Sequence, residues 1–558
     1  MSVSTGDLIS RVYANFRGVD LRGEEINLIR SPDALNVWKD YRETESIRTR
    51  PSMDVKVAFP APVYGIFFYK DMMLVHSGKN LYTVTSGGKK NIIFEGLNQR
   101  ESNSFLYENI WYFKDGKHYL QYDGSTVKAV EGYVPTTSIA RKPAGGGTIH
   151  EDVNLLTGRR INTFLADGKS TAFSLDAQNI DEDYTPIVKV NDKKVTDCTV
   201  DYAAGKITFK TAPAAPLTDG QDNVSVEFRK TTDANKKILN CTLLQVFDNR
   251  VFFSGNPDYP NVLWHCALDD PSYCSDLDYY NEGLDESPIR GLVAGNNALW
   301  VFREPSQANT TVFYHAPTID SNYGKIYPSQ HSSITTGCIG KAINFNDDIC
   351  FFSDRGMEGI SGDVTTEQVV AHRSSLVDRK MIAESEYRNM VLEEWEGYLL
   401  VFIGNHAYLA DSRAMFTNDT HTEYEWFMWD IGKKVTCARV DNGVLYLGTE
   451  DGVYTLTGTD DVESYWVTPK DKFGAPHKLK TTNKRGCLAE ATGDIAVYAK
   501  VEDTDFELIG SYENVTDYFV SRIKKKKWKD IQLKFYSQKR FSLETVTLEA
   551  FVGGYIKR

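Results

Sequence analysis

The densest cluster of chemistry-bearing side chains is Arg522-Ile523-Lys524-Lys525-Lys526-Lys527-Trp528-Lys529, in which six of eight residues are cationic. Ammonium and guanidinium groups at that density neutralise phosphates with release of counterions, or pair with an acidic face of a neighbouring protein. The plainer expectation is a solvated turn between strands. A second basic set, Arg17, Arg22, Arg48 and Arg50, lies in an N-terminal stretch too polar to form a core alone. Guanidinium forks pair bidentately with carboxylates, the chemistry of a subunit seam. Packing of that stretch on its own chain is the competing expectation.

Motifs for enzyme chemistry are absent: there is no Gly-x-x-x-x-Gly-Lys-Ser/Thr loop, no His-Glu-x-x-His and no Gly-x-Ser-x-Gly. A glycosidase needs two carboxylates facing across a sugar. Asp269-Asp270, Asp276, Asp278 and Asp285-Glu286 could supply them, but such acids more simply solvate loops. Ser353-Asp354-Arg355-Gly356-Met357 approaches a sialidase box and lacks the remainder. His315, His331, His406 and His421 lack ligand spacing, and Asp201, Asp219 and Asp222 lack a calcium-loop pattern. No catalysis, metal or cofactor is expected. Tyr273, Tyr279, Tyr280, Tyr314 and Trp264 would suit a sugar-binding surface, though packing at strand edges explains them more simply.

The eight cysteines (198, 241, 266, 274, 338, 350, 437 and 487) show no Cys-x-x-Cys spacing, so free thiols of a reducing cytoplasm are expected. No window approaches the roughly 20 apolar residues that cross a bilayer, and residues 1–16 carry no apolar signal core, so no membrane role is expected. Lys plus Arg is 63 against 76 for Asp plus Glu, a net charge of −13. That balance argues against a protein whose main task is gripping free nucleic acid, and leaves open a channel wall past which DNA slides.

A repeat must position these groups. An acidic or Asn/Gly turn followed by aromatic and β-branched residues recurs at Lys70-Asp71, Glu108-Asn109, Asp248-Asn249, Asn296-Asn297, Asp347-Asp348, Glu396-Gly397 and Asn442-Gly443. The steps are about 38 to 51 residues, the period of propeller blades, apart from one gap of about 140. The 12% aromatic content suits such sheets. The expected fold is all-β: a seven-bladed β-propeller (59–145 and 233–465) with an inserted small β-sandwich (146–232), preceded by an N-terminal arm (1–58) and followed by a C-terminal β-sandwich (466–558). In the insertion Phe164, Phe173, Val188, Val200, Ile207, Phe209, Val226 and Phe228 alternate with polar residues. Residues 141–147, rich in glycine, read as a flexible linker, 34–41 as one short helix of the arm, and 374–390 as a polar stretch with a short helix.

Three phrases resemble the opening of tailed-bacteriophage packaged-DNA stabilisation proteins, also described as tail nozzle or tail hub proteins: Asn15-Phe16-Arg17-Gly18-Val19-Asp20, Ser31-Pro32-Asp33-Ala34-Leu35-Asn36 and Arg48-Thr49-Arg50-Pro51. Ser52 stands where that family usually has Gly, and Val19-Asp20 where Leu/Ile-Asn is commoner. The insertion, through Phe164, Asp167-Gly168, Phe173, Val190-Asn191, Gly205, Ile207 and Ala212-Pro213, resembles a small sandwich of phage fibres and tail proteins. The C-terminal sandwich, with Arg522 and Phe535, is similar to the end of the stabilisation proteins. The resemblance implies a non-enzymatic virion protein, made in the host cytoplasm. It would form a homo-oligomeric ring, six-fold in the family, against the portal, adaptor and other tail proteins, with packaged DNA passing non-specifically. On it, Arg17, Arg22, Arg48 and Arg50 are candidate subunit or adaptor contacts. Arg522, Lys524, Lys525, Lys526, Lys527 and Lys529 are candidate contacts to DNA or a neighbouring ring. The competing function is a host-surface glycan-binding tail module.

Overall fold

The computed structural model describes residues 6–23, 27–42, 46–307, 310–321, 324–361, 367–418, 421–524 and 527–555, without the side chains of 484, 485, 554 and 555. The chain is an all-β, seven-bladed propeller with an inserted and a C-terminal sandwich. Its seven four-stranded sheets begin at Val63, Asn103, Leu243, Ile289, Ala342, Val391 and Val435.

The recurring turns are the first hairpin of each blade, and their chemistry explains their composition. In six blades both turn residues have positive φ: Glu108-Asn109 (46°, 64°), Asp248-Asn249 (48°, 59°), Asn296-Asn297 (50°, 58°), Asn346-Asp347 (53°, 62°), Glu396-Gly397 (51°, 74°) and Asn442-Gly443 (47°, 77°). A two-residue loop with two positive φ values is a type I′ turn, whose twist matches that of the flanking strands and which favours Asn, Asp and Gly. In blade five the turn is Asn346-Asp347, one residue before the expected Asp347-Asp348, because Asp348 opens the next strand opposite Phe345.

The chain divides into two compact units, residues 1–92 with 336–558, and residues 93–335. The first holds blades one, five, six and seven and the C-terminal sandwich. Its N-terminal segment is no separate arm. Strand Asp7–Ala14 lies antiparallel to Phe541–Tyr555, pairing Leu8 with Phe551 and Val12 with Thr547. Ala34–Leu35 adds to Ser464–Val467, Ile47–Thr49 bridges Val37–Lys39 and Phe541–Tyr555, and Ser52–Ala58 is the fourth strand of blade seven beside Gly452–Gly458. The helix expected over 34–41 is replaced by two short strands broken at Asn36, whose φ of 57° cannot continue a right-handed helix. Burial decides this: Trp38, 1% exposed, stacks on Trp395 (5.3 Å between centroids) and meets Trp429 edge-on (5.6 Å). Helix Asp378–Met381 and a 3₁₀ turn at Tyr387–Asn389 occupy the polar stretch between blades five and six.

The second unit holds blades two to four and the insertion. The insertion packs a six-stranded sheet, from Thr136–Arg141 to Val224–Arg229, on a three-stranded one over edge-to-face contacts of Phe173 with Phe164 and Phe209 (5.4 and 5.2 Å). The expected linker is not free: Arg141 ends a strand, is 7% exposed and donates to the Ser174 carbonyl at 2.9 Å. The reading of all cysteines as free is also corrected, since Cys266 and Cys274 form a disulfide in blade three. Cys198, Cys241, Cys338, Cys350, Cys437 and Cys487 are free thiols.

Candidate functional site

The basic run lies between strands Tyr518–Ser521 and Ile531–Ser537 of the C-terminal sandwich. Its C-terminal end is pinned by Trp528. Trp528 is fully buried, exchanges backbone hydrogen bonds with Lys480 (2.8 and 3.1 Å), donates from Nε1 to Thr482 Oγ1 at 3.0 Å and meets Phe473 edge-on at 5.4 Å. Beneath it the buried Lys480 ammonium donates to the carbonyls of Ala475 (2.6 Å) and Lys529 (2.7 Å), and burial pushes its pKa down. Arg522, Lys524, Lys527 and Lys529 are exposed, and none of the four makes an ion pair among the described residues. Lys525 and Lys526 lie outside the described residues.

The loop runs into a strand whose side chains alternate: Ile531, Leu533 and Phe535 enter the core, while Gln532, Lys534 and Tyr536 face outward. Register places Lys534 beside Tyr498, Tyr536 beside Tyr465 and Ala496, and Gln532 beside Lys500. The Lys534 ammonium sits 3.9 Å from the Tyr465 ring centroid and 5.5 Å from that of Tyr536. Tyr498 and Tyr536 meet edge-on at 6.2 Å. At the loop end, Asp503 is held below the usual carboxylate range, first by the hydrogen bond from Lys470 and then by the charges of Lys470, Lys500 and Lys529. Cations and rings thus share one sheet face, and sequence reasoning found only its loop. The alternation of 531–537 was visible; the pairing across to Tyr498 and Tyr465 was not.

The four N-terminal arginines separate into different roles. Arg50 is 5% exposed and donates from Nε to Asn36 Oδ1 (2.9 Å), from Nη1 to the Pro51 carbonyl (2.8 Å) and from Nη2 to the Asp430 carbonyl (2.6 Å). Burial lowers its pKa to about 10. With its fork consumed inside the chain it has nothing to offer another subunit, which corrects the expectation for this residue. Arg22 grips Asp20 through Nε (3.0 Å) and Nη2 (2.9 Å). Arg48 sits half-buried opposite Trp38 and Ser542, and Arg17 is half-buried with its backbone N–H donating to the Ile29 carbonyl at 2.7 Å. These residues do not form one cluster of free cations.

Of the carboxylates considered for sugar chemistry, Asp285 is spent on Ser306 and Arg303, whose hydrogen bonds hold it well below the usual range. Trp264 and Tyr314 are buried in packing. A titratable cluster with no signal in the residue pattern lies in blade five, beside a cavity of about 870 Å³ lined by Arg355, Ser361, Arg373 and His421 among others. His372 bonds Glu358 Oε2 through Nδ1 (3.2 Å) and Asp378 Oδ2 through Nε2 (2.6 Å). Burial opposes its charge, but the bonds to Asp378 and Glu358 outweigh it and raise the pKa to about 10. With both ring nitrogens occupied by carboxylates, His372 has no lone pair for base catalysis or metal binding; it clamps the blade to helix Asp378–Met381. No group of three or more potential metal ligands occurs among the described residues.

No protein-family model and no curated protein matches the chain. Solved structures similar to it include BamB from Moraxella catarrhalis (11% identical, covering 74% of this chain and 97% of that one, TM-score 0.34). They also include the Pan2 WD40 domain of Neurospora crassa (8%, 73% and 96%, TM-score 0.25) and Hsv2 of Kluyveromyces lactis (8%, 66% and 99%, TM-score 0.27). These similarities are too distant to carry a function to this chain, whose blades are established by its own seven sheets.

Proposed function

We propose that the chain is a structural subunit of a tailed-phage virion, forming a ring in the head–tail or tail region that lines or closes the DNA exit channel and retains packaged DNA. The observation that carries this reading is where the three family-like phrases fall. Gly18 approaches the Trp426 backbone, Ser31 Oγ accepts from the Val467 N–H (3.2 Å) and donates to the Val467 carbonyl (2.6 Å), and Asn36 Oδ1 accepts from Arg50 and from the Asp430 N–H (2.8 Å). The phrases are thus the joints between blade six and the C-terminal sandwich, an architectural reason for them to occur together. The exposed cations Arg522, Lys524, Lys527 and Lys529, on a chain of net charge −13, support a local contact with DNA phosphates on an otherwise repelling surface. A ring needs heterologous contacts whose rotation closes.

Mass photometry and negative-stain microscopy of the purified full chain test the ring, with antibody labelling of virions to place it. Closed rings and a label at the tail or head–tail junction are expected. A chain that stays monomeric at micromolar concentration, labels no virion and binds a surface glycan on an array would overturn the reading in favour of a receptor-binding module.

A further inference from the structure

Beyond the loop, we infer that the outward face formed by Tyr465, Tyr498, Lys500, Lys534 and Tyr536 is a binding site for single-stranded nucleic acid, with bases stacking on Tyr498 and Tyr536 and phosphates tracking along Lys534 and Lys500 into the loop at Lys529, Lys527 and Lys524. The inference rests on the reading of the loop as a DNA contact and adds a second chemistry to it.

Three features converge. First, the rings lie half-exposed on a regular sheet, where strand spacing and register fix them side by side: Tyr465 opposite Tyr536, and Tyr498 opposite Lys534. A base stacked on such a platform contributes affinity whatever its identity, because every base presents a π-face. Second, cations alternate with rings along the face. From the Tyr536 row to the Lys500–Gln532 row is four residues, about 13 Å of strand. The Lys500 ammonium there comes within 5.7 Å of the centroid of the Phe506 ring. Third, the face runs on into the basic loop: past the Lys500–Gln532 row, Val501 lies opposite Ile531, the Glu502 N–H donates to the Asp530 carbonyl at 3.1 Å, and the Lys529 N–H donates to Glu502 Oε1 at 3.2 Å. The opposing acids at this end, Asp503 and Glu502, are already committed, to the Lys470 ammonium and the Lys529 N–H. Stacking requires an unpaired base, whereas phosphate contact does not. The face therefore prefers single strands, and the loop accepts single and double strands alike.

The test is fluorescence anisotropy of the full chain with a labelled 20-nucleotide oligothymidylate and, separately, a 20-base-pair duplex, across a salt series. Tyr498→Ala with Tyr536→Ala is expected to weaken single-strand binding at least tenfold and duplex binding less than twofold. The Tyr→Phe pair, which keeps the rings, is expected to retain single-strand affinity and to show that the fold of the sheet is not the cause. Lys524→Glu with Lys527→Glu is expected to weaken both ligands and to flatten the slope of log K against log salt by about 2. If the alanine pair leaves single-strand binding unchanged while the loop variant weakens both ligands, the face is refuted and the loop reading stands. If neither variant changes binding, both fall.

Discussion

Arg50→Ala tests the claim that the N-terminal segment is a structural joint rather than a docking arm. The three hydrogen bonds of Arg50, at about 1 kcal/mol each once the cost of taking the guanidinium out of water is counted, contribute about 3 kcal/mol. That cost is real, since burial lowers the Arg50 pKa from 12.5 to about 10. Removing the side chain is therefore expected to lose about 3 kcal/mol. Over the roughly 300 residues of that unit, at about 2 cal/mol/K per residue, this lowers Tm by about 5 °C. Thermal unfolding followed by tryptophan fluorescence is weighted towards this unit, which holds six of the nine tryptophans (38, 395, 426, 429, 466 and 528), while Trp111, Trp264 and Trp300 report on the other. Arg50→Lys is expected to fare no better, since an ammonium keeps the burial cost and cannot span three acceptors in different directions. Arg22→Ala, which loses a partly exposed pair with Asp20, is expected to shift Tm by less than about 1 °C. Equal shifts for Arg50→Ala and Arg22→Ala, or full rescue by Arg50→Lys, would refute the reasoning.

Three further outcomes follow from the same structure. Gly18→Ala would place a Cβ 2.0 Å from the Trp426 carbonyl oxygen at φ +104°, and is expected to cost more than about 3 kcal/mol in urea unfolding; Gly23→Ala, at φ +74° with open space, should cost about 1 kcal/mol. The charged His372 clamp has a folded pKa raised above its unfolded value of 6.5, so its stabilisation is complete below pH 6.5 and is lost as pH rises towards 10. The Tm gap between parent and His372→Gln should accordingly narrow from pH 6 to pH 10, and a constant gap would count against the clamp. Trp528→Ala should cost about 3–5 kcal/mol and speed tryptic cleavage after Lys524 and Lys527, because the ring is the buried anchor of that loop.

What was legible in the sequence was local. Pairs such as Asn296-Asn297 and Asn442-Gly443 advertise type I′ turns because positive φ is a property of two adjacent residues, and six such pairs with the Lys70-Asp71 turn located seven blades. Period-two alternation likewise revealed the insertion through Phe164, Phe173 and Val226. The N-terminal segment was misread because its partners are remote in sequence: nothing near Ala34 or Val37 announces Ser464–Val467 or Trp429. Arg50 looked like a free cation since its acceptors are backbone carbonyls and an Asn brought to it by the fold. The His372 clamp was invisible for the same reason, with Glu358 fourteen positions away on the neighbouring strand.

The pairing of Asp7–Ala14 with Phe541–Tyr555 sets an order on biosynthesis. The first strand leaves the ribosome with its hydrogen-bonding edge unfilled and waits for more than 500 residues of translation before its partner exists. The unit of residues 93–335 has left the ribosome well before then and can mature during that interval. Closing so long a loop is entropically slow, and the waiting edge is open to mispairing, so yield in a heterologous host should depend on chaperones that shield this strand until residues 541–555 emerge.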